Sequence, residues 1–113
     1  MEQHYKLDKI RELAGGDDDF VQAIAQTFLE EVPEDARQLE IAVDSRDFLA
    51  AYKAAHKMKP TIDLFDLGVL DLLIEVQDWG KFEQKDRNVR NQLNTVLEAV
   101  QRASAEIKED FGL

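Results

Sequence analysis

The chain of 113 residues holds two histidines, His4 and His56, and no cysteine, so few of its side chains can act as nucleophiles or bind a transition metal. An imidazole that is neutral near pH 7 keeps a nitrogen lone pair able to accept a phosphoryl group or to ligate a metal. His56 lies in Phe48-Leu-Ala-Ala-Tyr-Lys-Ala-Ala-His-Lys-Met-Lys-Pro-Thr-Ile62, which carries Lys53, Lys57 and Lys59 and no acidic residue. Ammonium groups gathered around an imidazole suit a phosphoryl group, whose negative oxygens they stabilise.

Other chemistries find little support in the sequence. A di-iron site within a helical bundle needs Glu-x-x-His on two helices, so that carboxylate and imidazole share an inward face. The residue three before His56 is Lys53, and His4 is preceded only by Met1, Glu2 and Gln3, so no metal site is expected. Without cysteine there is no thiolate zinc site, disulfide framework or thiol catalysis. Glycine-rich phosphate loops of the Gly-x-x-x-x-Gly-Lys or Gly-x-Gly-x-x-Gly kind are also missing, which argues against a kinase acting alone on a bound nucleotide.

For His56 to react it must face solvent, and helical phase puts it there. At 100° per residue, Phe48, Ala51, Tyr52, Ala55, Met58 and Ile62 fall on one side of a helix, and His56 stands more than about 90° from their centre. Leu49, Lys53, Pro60 and Asp63 share the outer stripe with His56, and Lys59 lies between that stripe and the core face. Together with Lys57 these outer residues form the expected partner-binding surface, with Leu49 as an apolar neighbour that a docking protein would cover.

The elements that must position this helix are helical as well. Tyr5 to Ala14 predicts a short helix closed by Gly15-Gly16, after which Asp17, Asp18 and Asp19 supply a cap and an acidic first turn. Phe20, Ile24, Phe28, Val32, Ala36, Leu39 and Val43 then hold one phase across Pro33, which predicts a single kinked helix rather than two. A break at Ser45 or Arg46 leads into the helix of His56, ending near Leu64. Leu67 to Trp79 is apolar nearly all round and predicts a short buried helix stopped by Gly80. The last helix is expected over residues 83–111, with Val89, Leu93, Val96, Leu97, Val100, Ala103, Ile107 and Phe111 on its inner stripe. No sustained alternation and no Asn-Gly or Asp-Gly turn points to strands. The expected fold is all-α: an antiparallel four-helix bundle with a short additional N-terminal helix closing one end.

Residues 1–113 read as a single domain, since no Pro-, Gly- or Ser-rich linker divides them. With 14 Lys and Arg against 24 Asp and Glu, the net charge of −10 disfavours nucleic acid and anionic membranes as partners. The start of the chain lacks the pattern of a signal peptide, and no apolar run approaches the roughly 20 residues of a membrane span, so a cytoplasmic protein is expected. Met1 and the full set of helices point to a stand-alone chain.

His56-Lys-Met-Lys59-Pro-Thr-Ile-Asp-Leu-Phe65 resembles the active-site signature of histidine-containing phosphotransfer (HPt) domains of two-component phosphorelays. That signature runs His-x-Leu-Lys-Gly, then small residues, then an apolar residue and a glycine. The Asp-Phe20 to Pro33 stretch and the Ala-Val-Asp-Ser-Arg-Asp run before the third helix are in the same style, so the resemblance covers about residues 7–80. It implies that His56 is the phosphoacceptor, that Lys59 steadies the phosphoryl oxygens and that Met58 fills the apolar core position. Three positions depart from the pattern: Pro60 replaces a glycine, Thr61 occupies a small position, and Asp66 replaces the later glycine. Proline is compact, like the glycine that keeps bulk away from the imidazole, but it releases the His56 carbonyl from its helical bond. Asp66 is expected to hinder a close junction between the third and fourth helices.

By the same resemblance the chain is a monomeric signalling phosphoprotein, a phosphocarrier without ATPase chemistry. Its phosphoryl group would come from an aspartyl phosphate on a response-regulator receiver domain, in a relay fed by a hybrid sensor histidine kinase. The receiver supplies Mg, and the chain needs no cofactor of its own. The alternative is an HPt-like helical adaptor that binds a receiver domain without carrying phosphate.

Overall fold

The computed structural model describes residues 4–113. Among the described residues there are five helices and no strand: α1 (Asp8–Ala14), α2 (Asp18–Asp44), α3 (Phe48–Leu64), α4 (Leu70–Lys81) and α5 (Arg90–Phe111). α3 packs against α2 and α4, α5 also packs against α2 and α4, and α1 rests on α2. None of these helices is long and apolar enough to cross a membrane.

Caps explain where the two long early helices begin. The Asp17 carboxylate accepts the Phe20 N–H at 3.2 Å, and the Asp47 carboxylate accepts the Ala50 N–H at 3.1 Å, so each aspartate satisfies a donor that the first turn leaves open. α2 continues through Pro33 as a single helix, as the unbroken apolar phase requires. Its buried face is Val21, Ala25, Phe28, Val32, Ala36, Leu39 and Ala42, whereas Phe20 is 41% exposed and Ile24 and Val43 are half-buried. The expected stripe is therefore corrected at both ends. Its steps averaged almost four residues, longer than the 3.6 of a helical turn, so its ends rotate away from the face.

Other boundaries differ for local reasons. α1 begins at Asp8 rather than Tyr5; Tyr5 is buried outside the helix, and its hydroxyl donates to Asp110 at 2.6 Å. α4 begins at Leu70 rather than Leu67, because Asp66 (φ 51°) and Gly68 (φ 77°) turn the chain through left-handed conformations. α5 begins at Arg90 rather than residue 83, and the preceding turns are pinned by the Trp79 indole N–H donating to the Arg87 carbonyl at 3.0 Å.

Gly80 does not stop α4, which runs on to Lys81. A Cβ at this position would stand 2.5 Å from the Phe48 carbonyl oxygen and 2.7 Å from the Tyr52 nitrogen. The glycine instead lets the backbone of α4 lie directly on that of α3. Trp79 stacks beside Phe48 at a centroid distance of 4.5 Å, and at the other end of the core Phe28 meets Phe65 at 4.6 Å. The buried members of these pairs, Trp79, Phe28 and Phe65, each contribute about 2–3 kcal/mol of transfer free energy, which fixes α3 between its neighbours.

Candidate functional site

α3 buries Ala51, Ala55, Met58 and Ile62, and the opposite stripe faces solvent. His56 is on that exposed stripe, as its helical phase predicts. The Tyr52 ring, one turn earlier, lies 5.7 Å from the imidazole with the planes inclined by 31°, and limits the ring on that side. No described residue forms a hydrogen bond or ion pair with His56, so both ring nitrogens are available to an incoming molecule.

The neighbouring charges divide into two groups. Lys53 is exposed and Lys59 half-buried, and neither forms an ion pair among the described residues. Lys57 is engaged instead: its ammonium donates to the Asp35 carboxylate of α2 at 3.0 Å, and that hydrogen bond raises its pKa above the ordinary lysine value. The basic stretch seen along the sequence is thus partly compensated across the helix pair. Asp63 is engaged too, accepting from Lys9 at 3.0 Å through its carboxylate and at 3.3 Å through its carbonyl. Leu49 is 60% exposed and Pro60 is exposed, so His56, Lys53, Leu49 and Pro60 form a continuous outer stripe with Lys59 on its flank.

Two backbone features shape this region. Pro60 sits inside α3 and has no N–H, so the carbonyl of His56 lacks its usual helical donor. Asp66, expected to crowd the junction after α3, is exposed and adopts a left-handed conformation. Aspartate tolerates that conformation better than most residues, so the requirement met there is one of backbone angle and not of close packing.

The inner face of α4 holds one buried polar residue. Gln77 is 6% exposed, and its amide oxygen has no hydrogen-bond partner among the described residues. Gly80 rests on Phe48 and Tyr52, and the chain reverses through residues 65–69, so α3 and α4 run in opposite directions. Gln77 lies one turn back along α4 from Gly80, among the buried residues of the same helix. Sequence reasoning passed over it. The available signal was a lone amide in the otherwise apolar inner face of Leu70–Trp79.

Among the described residues no three His, Asp or Glu side chains converge in a way that could hold a metal ion. What the arrangement offers, among the described residues, is an accessible nucleophilic nitrogen and two ammonium groups without ion-pair partners, Lys53 and Lys59. In comparisons with known proteins, no family model, no curated protein and no solved structure matches this chain.

Proposed function

We propose that the chain is a histidine phosphocarrier of a two-component phosphorelay, built as an antiparallel four-helix bundle, with His56 as the phosphoacceptor. The observation that carries this reading is the imidazole itself: exposed on a firmly packed helix and flanked by Lys53 and Lys59, none of the three forming an ion pair among the described residues. The resemblance of His56, Met58 and Lys59 to the HPt signature supports it from the sequence.

In the proposed reaction a lone pair on one ring nitrogen attacks the phosphorus of an aspartyl phosphate on a receiver domain. The N–P bond forms as the bond from phosphorus to the aspartyl oxygen breaks, and the carboxylate leaves with the electron pair. The reverse step returns the phosphoryl group to a receiver. Positioning and charge stabilisation supply most of the acceleration in phosphoryl transfer, so a bundle offering a nucleophile and Lys59 has enough to contribute.

Incubation with phosphorylated receiver domains is expected to place an acid-labile, base-stable label on the protein. His56→Gln is expected to abolish it while leaving the helical circular dichroism intact. Labelling that survives in His56→Gln overturns the reading. A receiver that binds the wild-type protein but never labels it assigns the chain instead as a helical adaptor.

A further inference from the structure

At the end of the bundle away from α1, the first turns of α3 and the last turn of α4 bound a groove of about 560 Å3. Leu49 and Tyr52 of α3 and Gly80 and Lys81 of α4 line it, with Arg46 and Glu83 contributing from the adjoining turns. Two large apolar side chains stand in solvent here: Leu49 and Phe82 are each 60% exposed. Phe82 follows directly on Lys81, whose ammonium lies 5.3 Å from the centroid of its ring. Exposed apolar groups bordering a concave surface mark a place that a partner covers.

The charge of this end is opposite to that of the rest of the chain. Residues 46–59 and 81–90 hold eight of the 14 Lys and Arg but three of the 24 Asp and Glu. Arg46 ties the two segments together, its guanidinium donating to the Lys85 carbonyl at 2.7 Å and lying 5.4 Å from the centroid of the Phe48 ring. Lys57 is held by Asp35, Arg87 by Glu75, and Arg90 by Glu40 and Asp44. Arg46, Lys53, Lys81 and Lys85 form no ion pair among the described residues. Of the two acids lining the groove, Asp47 is engaged as the cap of α3, which leaves Glu83.

These features define the occupant. A segment with separate carboxylates places them on Arg46 and Lys81 and turns apolar residues toward Leu49 and Phe82. An evenly charged nucleic acid or membrane surface also meets Glu83 and Asp86 and has less to offer the apolar pair. A second copy approaches with a net charge of −10 against the same charge, which opposes encounter. We propose that this groove binds an acidic amphipathic helix of another protein, with Lys81 and Phe82 as the residues that select it. The inference stands independently of the phosphocarrier reading. Leu49 borders both surfaces, but Arg46, Lys81 and Phe82 lie outside the His56 stripe.

The test uses the full chain and a labelled synthetic peptide of about 18 residues, five helical turns, with leucines on one face and glutamates on the others. Fluorescence anisotropy is expected to give a Kd in the micromolar range that weakens as salt rises. Lys81→Glu and Phe82→Ser are each expected to weaken binding about tenfold, and Lys81→Arg to retain it. Both side chains are exposed, so unfolding midpoints in urea are expected to stay unchanged. Peptides with lysine in place of glutamate, or with the leucines scattered around the helix, are expected not to bind. Failure of the acidic peptide to bind, or binding unaffected by Lys81→Glu and Phe82→Ser, overturns the proposal. Self-association of the chain that both variants abolish assigns the groove to a second copy, and binding to phosphatidylglycerol vesicles that both abolish assigns it to a membrane; either result overturns the proposal. Loss of phosphoryl transfer to His56 in the same two variants makes the groove part of the exchange surface and overturns it as well.

Discussion

Around His56 the division of labour rests on which charges are free and which are held. Lys59 is half-buried without an ion pair, so its ammonium can turn toward a phosphoryl group on the neighbouring turn, while Lys57 is committed to Asp35. Lys59→Ala is accordingly expected to slow transfer by about tenfold to a hundredfold, because one preorganised cationic contact is lost, with the circular dichroism unchanged. Rapid-quench transfer from a phosphorylated receiver measures it, and an undiminished rate removes Lys59 from the site. Gln77 poses a separate question, since its buried oxygen lacks a partner among the described residues. Gln77→Leu removes that unsatisfied group and is expected to raise stability by about 1–2 kcal/mol in urea unfolding. A lower unfolding midpoint would show that the amide is satisfied in solution. The exposure of His56 was legible from phase alone, but the Lys57–Asp35 pair was not, because it joins residues 22 positions apart through the packing of two helices.

Among the elements, the contact between α3 and α4 has the least tolerance. Gly80→Ala would bring a methyl group to 2.5 Å from the Phe48 carbonyl oxygen, a backbone atom that cannot step aside without moving α3. The expected cost is about 1–3 kcal/mol in urea unfolding, as for other overpacked interiors. An unchanged unfolding midpoint would mean that the helices separate freely. The helices themselves were legible in the sequence because their apolar spacing is long and regular, and Pro33 and Pro60 both lie inside helices whose phase runs through them. Their ends were less so. Gly80 reads as a stop by propensity, yet tertiary contact determines its use, and the start of α4 depends on left-handed turns at Asp66 and Gly68 that only Gly68 announces by residue type. The one-step rotation of the buried face from Phe20 to Val21 is likewise set by what α2 packs against.

On the scale of the whole molecule, residues 4–9 fasten one end of the structure. The His4 N–H donates to Glu106 at 2.7 Å and its ring contacts the same carboxylate, the Tyr5 hydroxyl donates to Asp110, and the Lys6 N–H donates to the Phe65 carbonyl at 2.7 Å. Burial of Tyr5, followed by its hydrogen bond to Asp110, raises the phenol pKa above its ordinary value near 10. The folded protein therefore holds this proton more tightly than the unfolded chain does. The associated stability is complete below about pH 10 and is lost as the pH rises through the higher folded value. Urea midpoints measured from pH 8 to 11 are expected to fall at the alkaline end, and less steeply in Tyr5→Phe; parallel curves would show that Tyr5 does not govern the loss. The expectation that the N-terminal segment closes one end was legible as a short amphipathic stretch before a glycine pair, whereas its partners on α5 were not, lying about a hundred residues away. The Tyr5–Asp110 bond also bears on how the molecule comes apart. Chain ends are usually the first to fray, each independently of the other. Here His4 and Tyr5 are bonded to Glu106 and Asp110, so this segment and the last turns of α5 loosen together and not one before the other.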